Sequence, residues 1–216
     1  MLFRSLKKHG LENANPVSTP LDPNIKLDLD PNEENNSEMK GELSERPSIG
    51  YVTLISSLMY LVIGTQPDIA YSVQRLAHFT QDPKPVHWTA VKWIFRYLKG
   101  TRTLGLNYGG EDEDLNNEDL NIYCDADWAS NADRKSVSGY VIMLAGGAMV
   151  WSSKKQSSVA LSTAEAKYVA TTHCAKQVIW HRSLLNEVGI SLPSTSTIFS
   201  DNQATVSIAH HPEHHA

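Results

Sequence analysis

Near residue 120 the hydrophobic period of this 216-residue chain changes, and that change limits every architecture open to it. Upstream, apolar residues recur every three or four positions, the period of an amphipathic helix. Downstream, Leu120, Ile122 and Cys124 alternate with Asn121, Tyr123 and Asp125, the period of a strand with one buried face. One chain therefore carries a helical part and a mixed α/β part.

The helical grammar covers residues 48–110. Val52, Ile55, Met59 and Val62 share one helical face. Pro67 can open a second helix, with Ile69, Val73, Leu76 and Phe79 as its stripe. A third begins near Lys84, with Val91, Ile94, Phe95 and Leu98 inward and Gly100 as C-cap. Residues 84–102 hold five bases (Lys84, Lys92, Arg96, Lys99, Arg102) and no acid, interleaved with His87, Trp88, Trp93 and Tyr97. That mixture suits a phosphate backbone with stacking bases. An amphipathic helix with a solvated basic face explains it as well.

Two stretches lack either period. Residues 1–47 read as a Pro-rich, acidic tether. Five prolines and few large apolar side chains in residues 12–47 give little surface to offset ordering entropy. Residues 111–119 carry six carboxylates at spacings that match no EF-hand loop, and read as a solvated linker.

Residues 120–216 are expected to run β-β-β-α-β-α. After the first strand, residues 137–144 are β-rich. Gly146-Gly147 can supply a hairpin turn, and residues 148–152 pair back. A long helix over residues 163–188 has Ala166, Ala170, Cys174, Val178 and Leu185 near one face, and Gly189 ends it. Residues 195–200 form a fourth strand, expected to pair in parallel with the first, and Asp201-Asn202-Gln203 starts another helix.

Three acids fall at element ends: Asp125 closes the first strand, Glu165 lies in the long helix's first turn, and Asp201 closes the fourth strand. Neighbouring first and fourth strands would set Asp125 beside Asp201, with the helix N-terminus bringing Glu165 to them. Clustered carboxylates raise each other's pKa unless a cation neutralises them, and oxygen-only ligands suit Mg²⁺ or Mn²⁺. Simpler roles stay open: Ser162 and Glu165 fit a capping box, Asp201 an N-cap, and Asp125 and Asp127 loop formers.

The chain's −5 net charge excludes a wholly basic nucleic-acid binder, though not a local basic face. Two distant cysteines, Cys124 and Cys174, give no disulfide framework or zinc-finger spacing. The N-terminus lacks a signal peptide's apolar core, and no stretch is long enough to cross a bilayer, so a soluble, intracellular protein is expected. His210, His211, His214 and His215 read as a terminus rather than a metal site.

Several runs in fixed order resemble the ribonuclease H domain of copia-type retrotransposons: Tyr123-Cys124-Asp125-Ala126-Asp127-Trp128, Asp133-Arg134-Lys135-Ser136-Val137-Ser138-Gly139-Tyr140, Trp151-Ser152-Ser153-Lys154-Lys155-Gln156, Leu161-Ser162-Thr163-Ala164-Glu165-Ala166 and Ser200-Asp201-Asn202-Gln203-Ala204. Upstream, Pro67-Asp68-Ile69-Ala70-Tyr71 and Arg96-Tyr97-Leu98-Lys99-Gly100-Thr101 are similar to the segment joining reverse transcriptase to that domain. The resemblance covers essentially the whole chain.

It implies an α/β, ribonuclease H-like mixed sheet preceded by a helical reverse-transcriptase connection. It implies catalytic and metal-binding roles for Asp125, Glu165 and Asp201, with two Mg²⁺ ions (Mn²⁺ as substitute) hydrolysing the RNA strand of an RNA–DNA hybrid. Lys92, Arg96, Lys99 and Arg102 would help hold that hybrid. The rest of the Pol polyprotein is the implied partner, and the cytoplasm, a virus-like particle or the nucleus the implied location. The family's further acid has no match before Ala216, so the domain is expected to be truncated. A relic that binds nucleic acid without cutting it is the rival reading.

Overall fold

The computed structural model describes residues 14–28, 48–109 and 120–211. It divides between Gly105 and Leu106 into two compact units, each described by itself. The acidic run 111–119, residues 29–47 of the expected tether, and His214 and His215 lie outside the described residues.

The first unit is helical. α1 (Ser48–Gly64) is followed by a 3-10 turn, Pro67–Ile69, that leads into α2 (Ala70–Ala77). α3 (Pro85–Gly100) begins with Pro at its first position, where the missing N–H costs nothing. The stripes expected on α2 and α3 are found inside: Ile69, Val73, Leu76, Val91, Ile94, Phe95 and Leu98 are buried, and Phe79 packs against them.

α1 meets the expected face in part. Ile55 is buried and Val62 packs on the core, but Val52 and Met59 are exposed, and Tyr51, Leu54 and Leu58 are buried instead. The Tyr51 hydroxyl donates to the Leu76 carbonyl at 2.9 Å, and its ring meets Trp88 edge-on. These contacts fix the helix rotation where apolar periodicity is nearly featureless.

Residues 14–28 correct the tether expectation. They lie along α3 as an irregular strap. Leu27 is buried in the helical core, and Val17, Leu21 and Ile25 pack against it. Trp93 Nε1, Arg96 Nε and Lys99 Nζ donate to the carbonyls of Thr19, Asn15 and Ala14 at 2.8, 2.7 and 2.9 Å. Gly100 serves this strap rather than a C-cap. A Cβ there would stand 3.1 Å from the Pro16 Cβ, and the helix ends on Thr101.

The second unit is mixed α/β around a four-stranded sheet of order β3-β2-β1-β4. β1 (Asn121–Asp127), β2 (Val137–Leu144) and β3 (Gly147–Lys155) form an antiparallel meander. The long helix α4 (Thr163–Glu187) packs on β1 and β2, and β4 (Ile198–Phe199) joins β1 in parallel. α5 (Gln203–His210) packs on α4. All five α4 residues expected inward are buried, and Gly189, at φ 88°, follows the helix.

The hairpin turn is displaced by one residue from the expected Gly146-Gly147. Ala145 and Gly146 take the positive φ angles (50° and 77°). Gly147 lies in β3, where a Cβ would stand 2.4 Å from the Tyr108 ring. Its need is for close approach rather than turn geometry. Both cysteines are free and buried. No helix among the described residues is long and apolar enough to cross a membrane.

Candidate functional site

The β1–β4 register builds the site. Ile122 faces Ile198 and Tyr123 faces Phe199 across the parallel pair. Two residues further along each chain come Asp125 and Asp201. The strands therefore deliver two carboxylates side by side, and both side chains are about 70% exposed (68% and 70%). Asp201 is not the N-cap of α5. That place belongs to Asn202, whose side chain accepts from the Thr205 N–H at 2.9 Å.

Between the two aspartates sits a cation supplied by the chain. Lys167, in the second turn of α4, places its ammonium 2.9 Å from Asp125 Oδ1 and in hydrogen-bonding contact with Asp201 Oδ1. Its side chain is 15% exposed. The ammonium holds the Asp201 carboxyl below the usual carboxylate range. Asp201, and after it Asp125, raises the Lys167 pKa in return.

Glu165 is used otherwise. Ser162 Oγ accepts from the Glu165 N–H at 3.1 Å, and a Glu165 carboxylate oxygen accepts from the Leu161 N–H at 2.7 Å. The first is the N-cap bond of the helix; the second reaches one residue past the N-cap, to Leu161 rather than to the Ser162 N–H that a full capping box uses. Side chains two apart on a helix do not share a face, so a turn that aims Lys167 at the aspartates aims Glu165 elsewhere. Among the described residues, no three His, Cys, Asp or Glu side chains form a group that could hold a metal ion. Asp127 is exposed at the end of β1.

The pair nonetheless suits a cation. Its donors are carboxylate oxygens, the hard ligands that Mg²⁺ and Mn²⁺ take, and an ammonium already stands in for the positive charge there.

The start of α4 is anchored on several sides. Gln156, buried after β3, donates from Nε2 to Ser138 Oγ and to the Ala166 carbonyl, both at 2.9 Å. Thr205 Oγ1 donates to the Ala164 carbonyl at 3.1 Å. Beneath the site, the Cys124 thiol meets Thr171 Oγ1 at 3.3 Å, and hydrogen bonding to Cys124, with burial, pushes the Cys174 thiol up.

The chain is 39% identical over 216 residues to the retrovirus-related Pol polyprotein from transposon TNT 1-94 of Nicotiana tabacum, covering 99% of this chain and 15% of that protein. It is 35% identical over 212 residues to the Pol polyprotein from transposon RE1 of Arabidopsis thaliana, covering 98% and 13%. Over nearly its whole length the chain is thus similar to retrovirus-related Pol polyproteins of copia-type transposons, and it spans about one seventh of their length. A secreted RxLR effector protein, number 161, of Plasmopara viticola is 40% identical over 134 residues, covering 62% of this chain and 92% of that protein. No family model matches, and neither does any solved structure.

The expected nucleic-acid face of the first unit is partly spent. Arg96 and Lys99 bind the strap carbonyls, and Arg96 also lies over the Trp93 ring, 5.1 Å from its centroid. Lys92 is partly buried and Arg102 is exposed. His87, Trp88 and Tyr97 are buried and cannot stack on bases.

Sequence reasoning missed Lys167 because the matched runs stop at Ala166. The available signal was a charge reversal two residues beyond an acid that the resemblance places in a metal site. It also gave Gln156 no role, although a Gln after an alternating strand, just before a capped helix, is a candidate buried anchor.

Proposed function

We propose that the second unit of this chain is a ribonuclease H-type domain that hydrolyses the RNA strand of an RNA–DNA hybrid. The parallel β1–β4 pairing supports this most directly, because it brings Asp125 and Asp201 together at the strand ends. Asp125 and Asp201 would hold Mg²⁺, or Mn²⁺ in its place; Glu165, the third acid expected there, would need a different rotation of the start of α4 to join them. A divalent ion bound there supplies charge neutralisation and water activation for phosphodiester hydrolysis.

The chain's own residues set the geometry. Asp125 and Asp201 define where a scissile phosphate approaches, and Lys167 from the pinned start of α4 faces them. Tyr123 and Phe199 stack at 5.3 Å on the strand residues just before the aspartates, both about half exposed, and can pack against a sugar or base. The remaining Pol polyprotein would present the hybrid, in the cytoplasm or an element-encoded particle. Exposed Arg102 would contact its backbone from the first unit, together with Lys92, with Arg96 and Lys99 contributing only if the strap lifts.

One observation favours a second reading, a domain that binds hybrid without cutting it: Lys167 fills the cation position and Glu165 is held by the Leu161 N–H. A labelled hybrid with Mg²⁺ separates the two. Cleavage by the full chain that disappears in Asp125→Asn supports the nuclease. Saturable hybrid binding with no cleavage supports the second reading.

A further inference from the structure

We propose that Lys167 is the resident counter-cation of the Asp125–Asp201 pair and must vacate it before a divalent ion can bind, which makes it the residue that sets this domain's metal affinity. The inference rests on the reading of those two aspartates as ligands.

The ammonium bonds Oδ1 of Asp125 and Oδ1 of Asp201, the two carboxylates a divalent ion would have to share. Two carboxylates and one ammonium sum to a single negative charge. A divalent ion beside a retained ammonium would reverse that sign and face repulsion at contact distance. The two cations therefore exclude each other.

The backbone cannot relieve the conflict. The first turns of α4 are held by Gln156 on the Ala166 carbonyl, Thr205 on the Ala164 carbonyl and the Ser162 cap. Exchange must occur through the side chain, and a lysine's four-carbon stem is long enough to swing its head to solvent. The arrangement favours that route: Lys167 is mostly sheltered while both carboxylates are open to solvent, so an arriving ion meets the carboxylates first. A lysine serving only to staple α4 to the sheet would strengthen the fold without competing with metal. Metal affinity is therefore the discriminating readout.

The test is Mn²⁺ binding to the full chain by isothermal titration calorimetry and by the EPR signal of free Mn²⁺, with folding checked by circular dichroism. Lys167→Gln should bind Mn²⁺ about tenfold more tightly than wild type, the lower end of what groups adjoining a metal site do to its affinity. Lys167→Arg, which keeps the charge, should stay near wild type. Asp125→Asn added to Lys167→Gln should abolish the gain.

Equal affinity in wild type and Lys167→Gln, both lost with Asp125→Asn, overturns the competition and leaves the ligand reading intact. No saturable binding in any variant overturns both. Should Lys167→Gln fail to fold, acetic anhydride labelling of wild-type Lys167 decides instead. Mn²⁺ at concentrations that saturate the isotherm should raise its labelling rate severalfold, and an unchanged rate refutes the proposal.

Discussion

Gln156→Ala tests whether one buried amide holds the start of α4 against the sheet. The side chain is 2% exposed and donates two 2.9 Å bonds, one to β2 and one to α4. Neutral hydrogen bonds contribute about 1 kcal/mol each. The lost side-chain volume adds about 1 kcal/mol, and relief of the amide's own desolvation offsets part of the sum, leaving about 2–3 kcal/mol. For a domain near one hundred residues that lowers the midpoint by about 10–20 °C. Scanning calorimetry of the full chain should show the shift in the second unit's transition alone. Gln156→Glu should cost more than alanine at neutral pH, because a carboxylate cannot donate to the Ala166 carbonyl. That excess should shrink in acid, where a protonated carboxyl can. A drop below about 3 °C for Gln156→Ala would refute the claim that this amide anchors the helix.

Two further outcomes follow from the first unit. His87 Nδ1 accepts from the Lys84 N–H at 2.8 Å, and its other nitrogen meets the Leu27 carbonyl at 3.0 Å, so the ring is neutral with its proton on Nε2. Burial lowers its pKa below the ordinary 6.5. The unfolded chain therefore takes up a proton that the folded one refuses, and stability is complete above about 6.5 and falls as the pH drops through that value. Calorimetry from pH 7.5 to 5.5 should show the first transition falling, with a flatter slope in His87→Gln. Arg96→Ala should cost about 1 kcal/mol and speed limited proteolysis near residues 14–19, while changing hybrid affinity little. A tenfold loss of hybrid affinity would restore Arg96 as a phosphate contact.

The sequence disclosed elements wherever contrast along the chain was strong. α2 and α3 alternate apolar and polar sides sharply, and their inward residues are those the period selects; α4 also exposes Ile179, Trp180 and Leu184, and its inward face was legible from the small residues Ala166, Ala170 and Cys174 that recur every four positions. α1 is apolar on nearly every side, so its rotation is chosen by partners, chiefly the Tyr51 contacts with Leu76 and Trp88. The strap escaped notice because averaging over residues 12–47 diluted four well-spaced apolar anchors, Val17, Leu21, Ile25 and Leu27, with the acidic run that follows. The hairpin turn slipped one residue because two consecutive glycines look alike in sequence, and only Tyr108 distinguishes them.

The candidate site shows where local reading stops. Asp125 and Asp201 were legible because a parallel pair aligns strand ends, and β4 needs only two paired residues to do so. What holds Asp201 in place is less the short strand than the helix after it, since Asn202 caps α5 and Thr205 ties α5 to the start of α4. Lys167 and Glu165 extend from that same helix start, two residues apart and on different faces. The rotation of α4 therefore decides which of them meets the aspartates, and Gln156 and Thr205 fix that rotation. The chain's similarity is to retrotransposon Pol polyproteins, whose matched regions are a small part of their length. The proposed chemistry at the strand ends turns on a finer feature that the relatives do not disclose, the Lys167 ammonium bonded to both aspartates.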